Sequence, residues 1–274
     1  MRSLLFVPGG RVEMLAKVGR VTPDTVVVDL EDAVPAAGKD AAREAVAAAL
    51  RAGRPEFGGL LLVRINAVDT EEHAADVATC AELIDAGMLD GVVLPKYERV
   101  AELTDLQAAL PVGAAVMVGV ESALGVADAR PLLAAGPHAV YFGSDDFIAD
   151  LGGRRTAAGN EVLYARSAVL LAANLAGVPA VDQAVVAVRD EDTFRCDANV
   201  GRNLGYGGKI CLHPTQVVIA HEVFTPGPAE VDHARAVLAA AVNGVGELNG
   251  MMVDAVHVRM ARDILIRAGQ PVEA

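Results

Sequence analysis

The chain has 274 residues, 53% of them hydrophobic and 22% charged, and carries a formal net charge of −13. That acidic excess repels nucleic acid and anionic membrane surfaces at long range, so neither is an expected partner, while a local basic pocket for a small anion stays compatible with it. No stretch reaches the about 18 uninterrupted apolar residues of a membrane span, and the apolar run in "MRSLLFVPGG" is too short for a secretory signal. Cys80, Cys196 and Cys211 are widely spaced and form no CxxC pair or zinc pattern, which favours free thiols in a reducing cytoplasm.

In chain order the strand candidates are "SLLFV" from Ser3, "TVVVD" from Thr25, "LLLVRI" from Leu60 and "GVVLP" from Gly91. They continue with "AAVMVGVE" from Ala114, "HAVYFG" from His138, a weaker "AVDQAV" at Ala180, and "KICLHP" from Lys209. Between them, stretches such as "KDAAREAVAAALRAG" and "EVLYARSAVLLAANLAG" place apolar residues at helical spacing and end on Gly. About eight such β–α units predict a parallel TIM (β/α)8 barrel over residues 1–224, with a doubly wound open sheet as the alternative. Proline and glycine then punctuate Thr225 to Pro228, and the pattern changes. A helix "PAEVDHARAVLAAAVN", a Gly-rich loop "GVGELNGMMVDA" and a last helix "HVRMARDILIRAG" form a C-terminal helical extension over 225–274.

A barrel carries its site at the C-terminal ends of its strands. The expected exits hold "PGGR", then Asp29, Glu31 and Asp32, then Arg64 and Asn66, then Pro95 and Lys96, then Glu121, then Asp145 and Asp146, and finally His213. Turn chemistry alone would supply Gly, Pro and Asn at such places. Each carboxylate could serve as a helix cap, but so many on one face point to a ligand site. Glu121 and the Asp145/Asp146 pair come from neighbouring strands. Carboxylates brought together repel, and a divalent cation relieves the repulsion. Mg²⁺ suits one or two carboxylates plus substrate and water; zinc would want a His/Cys cluster that the sequence lacks. One Asp of the pair is expected to bind metal while the other caps or orients. Arg64, inside an apolar strand, suits a substrate carboxylate or a developing enolate oxygen, with an ion pair to Glu31 as its structural alternative. Arg11 and Lys17 follow a Pro-Gly turn where amides at a helix start favour phosphate. His213 reads as a structural histidine at a strand end, with a general base as the alternative. Asp254 reads either as the cap of the last helix or as an acid delivered by a lid.

With these residues in view the chain resembles the HpcH/HpaI aldolase and citrate lyase beta-subunit superfamily, in its CitE-like branch near malyl-CoA and citramalyl-CoA lyases. The matching stretches are "RSLLFVPGGR", "VVDLEDAVP" with "GKDAAR", "VRINAVDT", "VVLPKYE", "GVESALGVADA", "FGSDDFIADLGGRRT", "GYGGKICLHPTQV" and "NGMMVDAVHV". The resemblance implies a Mg²⁺-binding barrel, usually trimeric or hexameric, with Glu121 and Asp146 as metal ligands. It implies that Arg64 contacts substrate and that Arg11 and Lys17 bind the CoA portion; Glu121 and Asp145, the latter a departure from the family's usual Glu or Ala, are also expected at the substrate. It implies that Asp254 is the catalytic acid, carried by the C-terminal segment of an adjacent protomer. The expected activity is reversible carbon–carbon cleavage of a carboxylated 3-hydroxyacyl-CoA into an acyl-CoA and a 2-oxoacid. The alternatives are a malyl-CoA-type thioesterase and a citrate lyase beta subunit working on a carrier-protein thioester inside a complex.

Overall fold

A computed structural model describes residues 1–241 and 245–271 of the chain. It divides into two compact units, Met1–His221 and Glu222–Ala274. The first is built on eight parallel strands: β1 (Ser3–Pro8), β2 (Thr25–Asp29), β3 (Leu60–Arg64), β4 (Gly91–Leu94), β5 (Ala115–Val120), β6 (Ala139–Phe142), β7 (Ala180–Asp182) and β8 (Gly208–Cys211). They close in chain order, because β8 pairs back onto β1 through Ser3↔Lys209, Leu4↔Ile210 and Leu5↔Cys211. That last pairing excludes the open sheet and makes the fold a TIM barrel.

The helices are α1 (Lys39–Ala52), α2 (His73–Asp85), α3 (Val100–Ala109), α4 (Ala123–Ala127), α5 (Ala129–Ala134), α6 (Ser144–Asp150), α7 (Asn160–Ala176), α8 (Glu191–Leu204) and α9 (Pro214–Phe224). Where the sequence places a glycine at a helix end the chain uses it: Gly177 takes the left-handed φ of 69° that closes α7. The segment after β1 departs from the expected helix. Gly9–Arg20 is a 3-10 segment broken at Arg11, whose φ and ψ are −132° and 47°.

Side chains alternate between the two faces of a strand. Leu4, Val27, Leu62, Val93, Met117, Ala139, Val181 and Ile210 form one buried cluster drawn from all eight strands, the aliphatic filling of the barrel. Two residues further along, the same inward-facing alternation reaches Phe6, Asp29, Arg64, Gly119 and Tyr141, and on the next step of β5 it reaches Glu121. The pleat therefore stacks a polar layer directly on an apolar one at the C-terminal mouth.

The second unit comprises α10 (Pro228–Ala240), a hairpin of β9 (Gly246–Leu248) and β10 (Met251–Val253), and α11 (Ala255–Arg267). Val231, Ala234, Val237, Val253, Ala261 and Leu265 make its own small core. The stretch expected as a Gly-rich loop is thus a hairpin. Asn249 and Gly250 both take positive φ, 53° and 79°, as an Asn-Gly two-residue turn demands. The end of the expected helix at Val242 and Asn243, and Gly244 of the expected loop, lie outside the described residues. None of the described helices is long and apolar enough to cross a membrane.

Candidate active site at the barrel mouth

Arg64 is the hub. It is 8% exposed. Its Nε and Nη2 donate to the two oxygens of Asp29 at 2.8 and 2.7 Å, a bidentate pair between register partners on β2 and β3. Its Nη1 lies 2.8 Å from Glu31 Oε2, and its Cζ stands 5.1 Å from the centre of the Phe6 ring. The ion pair expected as an alternative role therefore exists, but Asp29 rather than Glu31 fixes the guanidinium plane. Glu31 Oε1 meets Lys96 Nζ at 2.9 Å. This buried carboxylate is thus held between the two cations, Arg64 on one oxygen and Lys96 on the other.

Glu121 is 2% exposed. Its Oε1 accepts the Lys96 main-chain N–H at 2.7 Å and the Tyr141 hydroxyl at 3.4 Å. Two glycines leave it room. A Cβ on Gly119 would sit 2.4 Å from the Tyr141 hydroxyl, and one on Gly143 would sit 2.3 Å from Glu121 Oε2. Burial pushes Glu121 up to about 7; Arg64 opposes this, while Glu31 and Asp146 add to it. Asp146 is raised as well, by its partial burial and then by Asp32, against Lys96 and Arg64.

The paired aspartates have separated. Asp145 is exposed, and its Oδ1 accepts from Arg155 Nε and Nη2 at 2.9 and 2.7 Å. Asp146 is half-buried and belongs to the acidic cluster. Neither is a helix cap: Gly143 holds that position, and both acids occupy the first turn of α6, where the helix dipole favours them. His213 is spent locally, its Nδ1 accepting the Thr215 N–H at 3.3 Å where α9 begins. Arg11 is exposed and paired with Glu13 at 2.8 Å, on the segment leaving the mouth end of β1; Lys17 lies further along that segment. Asp254 belongs to the C-terminal unit, where it caps α11: its Oδ1 accepts from the N–H groups of Val256 and His257 at 2.9 and 3.3 Å. The His257 ring and those amides hold it below the usual carboxylate range. The structure thus brings together Arg64, Glu121 and Asp146, and adds Asp29, Lys96 and Tyr141, which carried no assigned role in the sequence. Strand parity could have found Asp29 and Tyr141.

The donor set suits a hard cation. Glu121 and Asp146 are carboxylates that burial and mutual repulsion disfavour when ionised, and Glu121 Oε2 accepts no hydrogen bond among the described residues. Those residues form no group of three or more His, Cys, Asp or Glu able to hold a metal ion by themselves. Two carboxylates completed by substrate and water is a magnesium arrangement rather than a zinc one.

The family model for HpcH/HpaI aldolase/citrate lyase matches residues 2–214. The chain belongs to that family. A "Citrate lyase subunit beta-like protein" of Deinococcus radiodurans is 42% identical, over 97% of this chain and 96% of that one. A "(3S)-malyl-CoA thioesterase" of Cereibacter sphaeroides is 32% identical, over 97% of this chain and 94% of that one. Protein CitE of Mycobacterium tuberculosis, solved with magnesium, acetoacetate and coenzyme A, superposes with a TM-score of 0.85 at 32% identity, covering 98% of this chain and 100% of that one.

Proposed function

We propose that this family member is a Mg²⁺-dependent carbon–carbon lyase. It would cleave, or in reverse form, a carboxylated 3-hydroxyacyl-CoA such as malyl-, citramalyl- or citryl-CoA, giving an acyl-CoA and a 2-oxoacid. The observation that carries the reading is a buried carboxylate of raised pKa, Glu121, clustered with Asp146 and with a guanidinium locked by Asp29. The relative solved with magnesium, acetoacetate and coenzyme A supports the choice of cation and thioester.

Glu121 and Asp146 hold the metal, which when bound supplies a Lewis acid and a template for the oxoacid oxygens. Asp29 occupies two of the five donors of Arg64. The donors left after Asp29 and the Glu31 contact at Nη1 serve the oxygen that gains charge as the carbon–carbon bond breaks, in a dry site where such stabilisation is strong. Asp254, from the C-terminal unit of a neighbouring protomer in a trimer or hexamer, handles the proton at the thioester α-carbon. In condensation its carboxylate takes the α-proton, and in cleavage the same group returns a proton to that carbon while the substrate hydroxyl gives up its own as the carbonyl forms. Arg11 and Lys17 meet the CoA phosphates, and Asp145, clamped by Arg155, lines the rim. No step needs a nucleophilic thiol: Cys80 and Cys211 are buried, and burial pushes the Cys211 thiol up to about 12. We place the enzyme in the cytoplasm.

The test is to incubate the protein with Mg²⁺ and a panel of hydroxyacyl-CoAs and follow acyl-CoA, free CoA and oxoacid by mass spectrometry. Acetyl- or propionyl-CoA with an oxoacid establishes the lyase and identifies its substrate. Free CoA with intact hydroxyacid moves the reading to the thioesterase that the Cereibacter relative represents. No turnover by the isolated chain favours a beta subunit that works only in a complex. Undiminished turnover in Asp254→Ala would remove that residue from the mechanism.

A further inference from the structure

Lys96 is where the backbone and the charge of the site meet. It follows β4 and takes a left-handed φ of 50°, a conformation that non-glycine residues adopt rarely. In that conformation its main-chain N–H reaches Glu121 Oε1 at 2.7 Å while its ammonium reaches Glu31 Oε1 at 2.9 Å. The same ammonium feels Asp32 and Asp146. One residue therefore touches, or acts through space on, all four acids of the cluster. The other cation of the mouth, Arg64, already has Asp29 on two of its nitrogens.

We propose that Lys96 is a positioning residue that acts as a fixed counter-cation: its amide aims Glu121 at the metal position, and its ammonium sets how strongly the four carboxylates take a divalent cation. Glu31, Asp32, Glu121 and Asp146 without a compensating charge would bind a dication tightly and repel an anionic oxoacid. With Lys96 in place the cluster keeps its metal affinity moderate and remains open to an anion. The proposal rests on the metal-site reading above, and it separates two functions of one residue. Removing the ammonium while keeping the amide should tighten metal binding, the opposite of what a damaged site does.

Mn²⁺ binding followed by electron paramagnetic resonance tests this at pH 8 on the full chain, comparing wild type with Lys96→Gln, Lys96→Gly and Lys96→Arg. All three keep the main-chain N–H, and glycine also relieves the left-handed strain. Removing a unit positive charge from the carboxylate cluster predicts Mn²⁺ binding roughly tenfold tighter in Lys96→Gln and Lys96→Gly. Lys96→Arg should bind as wild type does, and the tightening should shrink as salt is raised. Lys96→Gln binding Mn²⁺ equally or more weakly, or Lys96→Arg shifting together with Lys96→Gln, would overturn the proposal and leave the metal site standing. A wild type that binds no Mn²⁺ would overturn the metal-site reading itself, and the role of Lys96 with it.

Discussion

Two buried ion networks of the barrel are built on opposite terms. On the outward-facing side of β7 and β8, Lys209 and Asp182 are fully buried beneath α7 and α8. Lys209 Nζ bonds Asp182 at 2.9 Å, the Gln183 carbonyl at 2.8 Å and, closer still, Asp197. Arg166 pairs with Asp182 at 2.5 Å and with Asp197 at 3.1 Å. Two cations, Arg166 and Lys209, meet two acids, Asp182 and Asp197. Burial pushes Asp197 up, yet Lys209 and Arg166 outweigh it and hold the group below its ordinary value. At the mouth, Arg64 and Lys96 face Asp29, Glu31, Asp32, Glu121 and Asp146. There burial wins, and Glu121 rises to about 7. The balanced network is structural. The unbalanced one stores unfavourable charge that a cation would relieve, which is the physical ground for proposing it as the functional site.

Four measurements can break or sharpen this contrast. The largest effect is expected from Glu121→Gln, which should lower Mg²⁺-dependent turnover by about a thousandfold or more if the proposed metal ligand is lost, measured as kcat/KM. Next, Lys209→Met should cost about 3–5 kcal/mol of stability by leaving Asp182 and Asp197 without it, read as a large drop in Tm or in the urea midpoint. Turnover of that variant below its Tm should be preserved.

The third turns on pH. Burial pushes Glu121 up from its ordinary 4.5 to about 7, so the metal-free fold binds its proton more tightly than the unfolded chain does. Its unfavourable contribution therefore grows as pH rises from about 4.5 to about 7 and is constant above that. Metal-free Glu121→Gln should accordingly be more stable than wild type by about 2–3 kcal/mol at pH 8, with the gain vanishing near pH 4. Urea titrations at the two pH values check the sign; the opposite order would place Glu121 in a compensated environment. The smallest effect is expected for Asp145→Asn. Its pair with Arg155 is solvent-exposed, so stability should change by less than about 1 kcal/mol.

The mouth was only partly legible in the chain. Arg64, Glu121 and Asp146 stand out as polar residues at the ends of apolar runs, a local signal. Asp29 was visible among the strand exits, but its pairing with Arg64 depends on β2 and β3 lying in register. Tyr141 reads as one more apolar-strand aromatic until Gly119, on the neighbouring strand, opens the space for its hydroxyl. Lys96 gives no sequence sign of its left-handed backbone, which an Asn or Gly would have advertised. The outer network was invisible, because Lys209 and Asp182 look like ordinary strand residues until α7 and α8 cover them.

Short apolar runs, helical periodicity and glycine at helix ends determined, from the sequence alone, about eight strands, the main helices between them and the end of the barrel at which polar groups collect. These signals survive because each depends on residues a few positions apart. Closure of β8 onto β1, the partition of the charges into a balanced and an unbalanced network, and the separation of Asp145 from Asp146 were decided only by the tertiary structure. The physical reason is that burial and pairing energies depend on which groups from distant strands share one low-dielectric volume, and no local pattern encodes that neighbourhood.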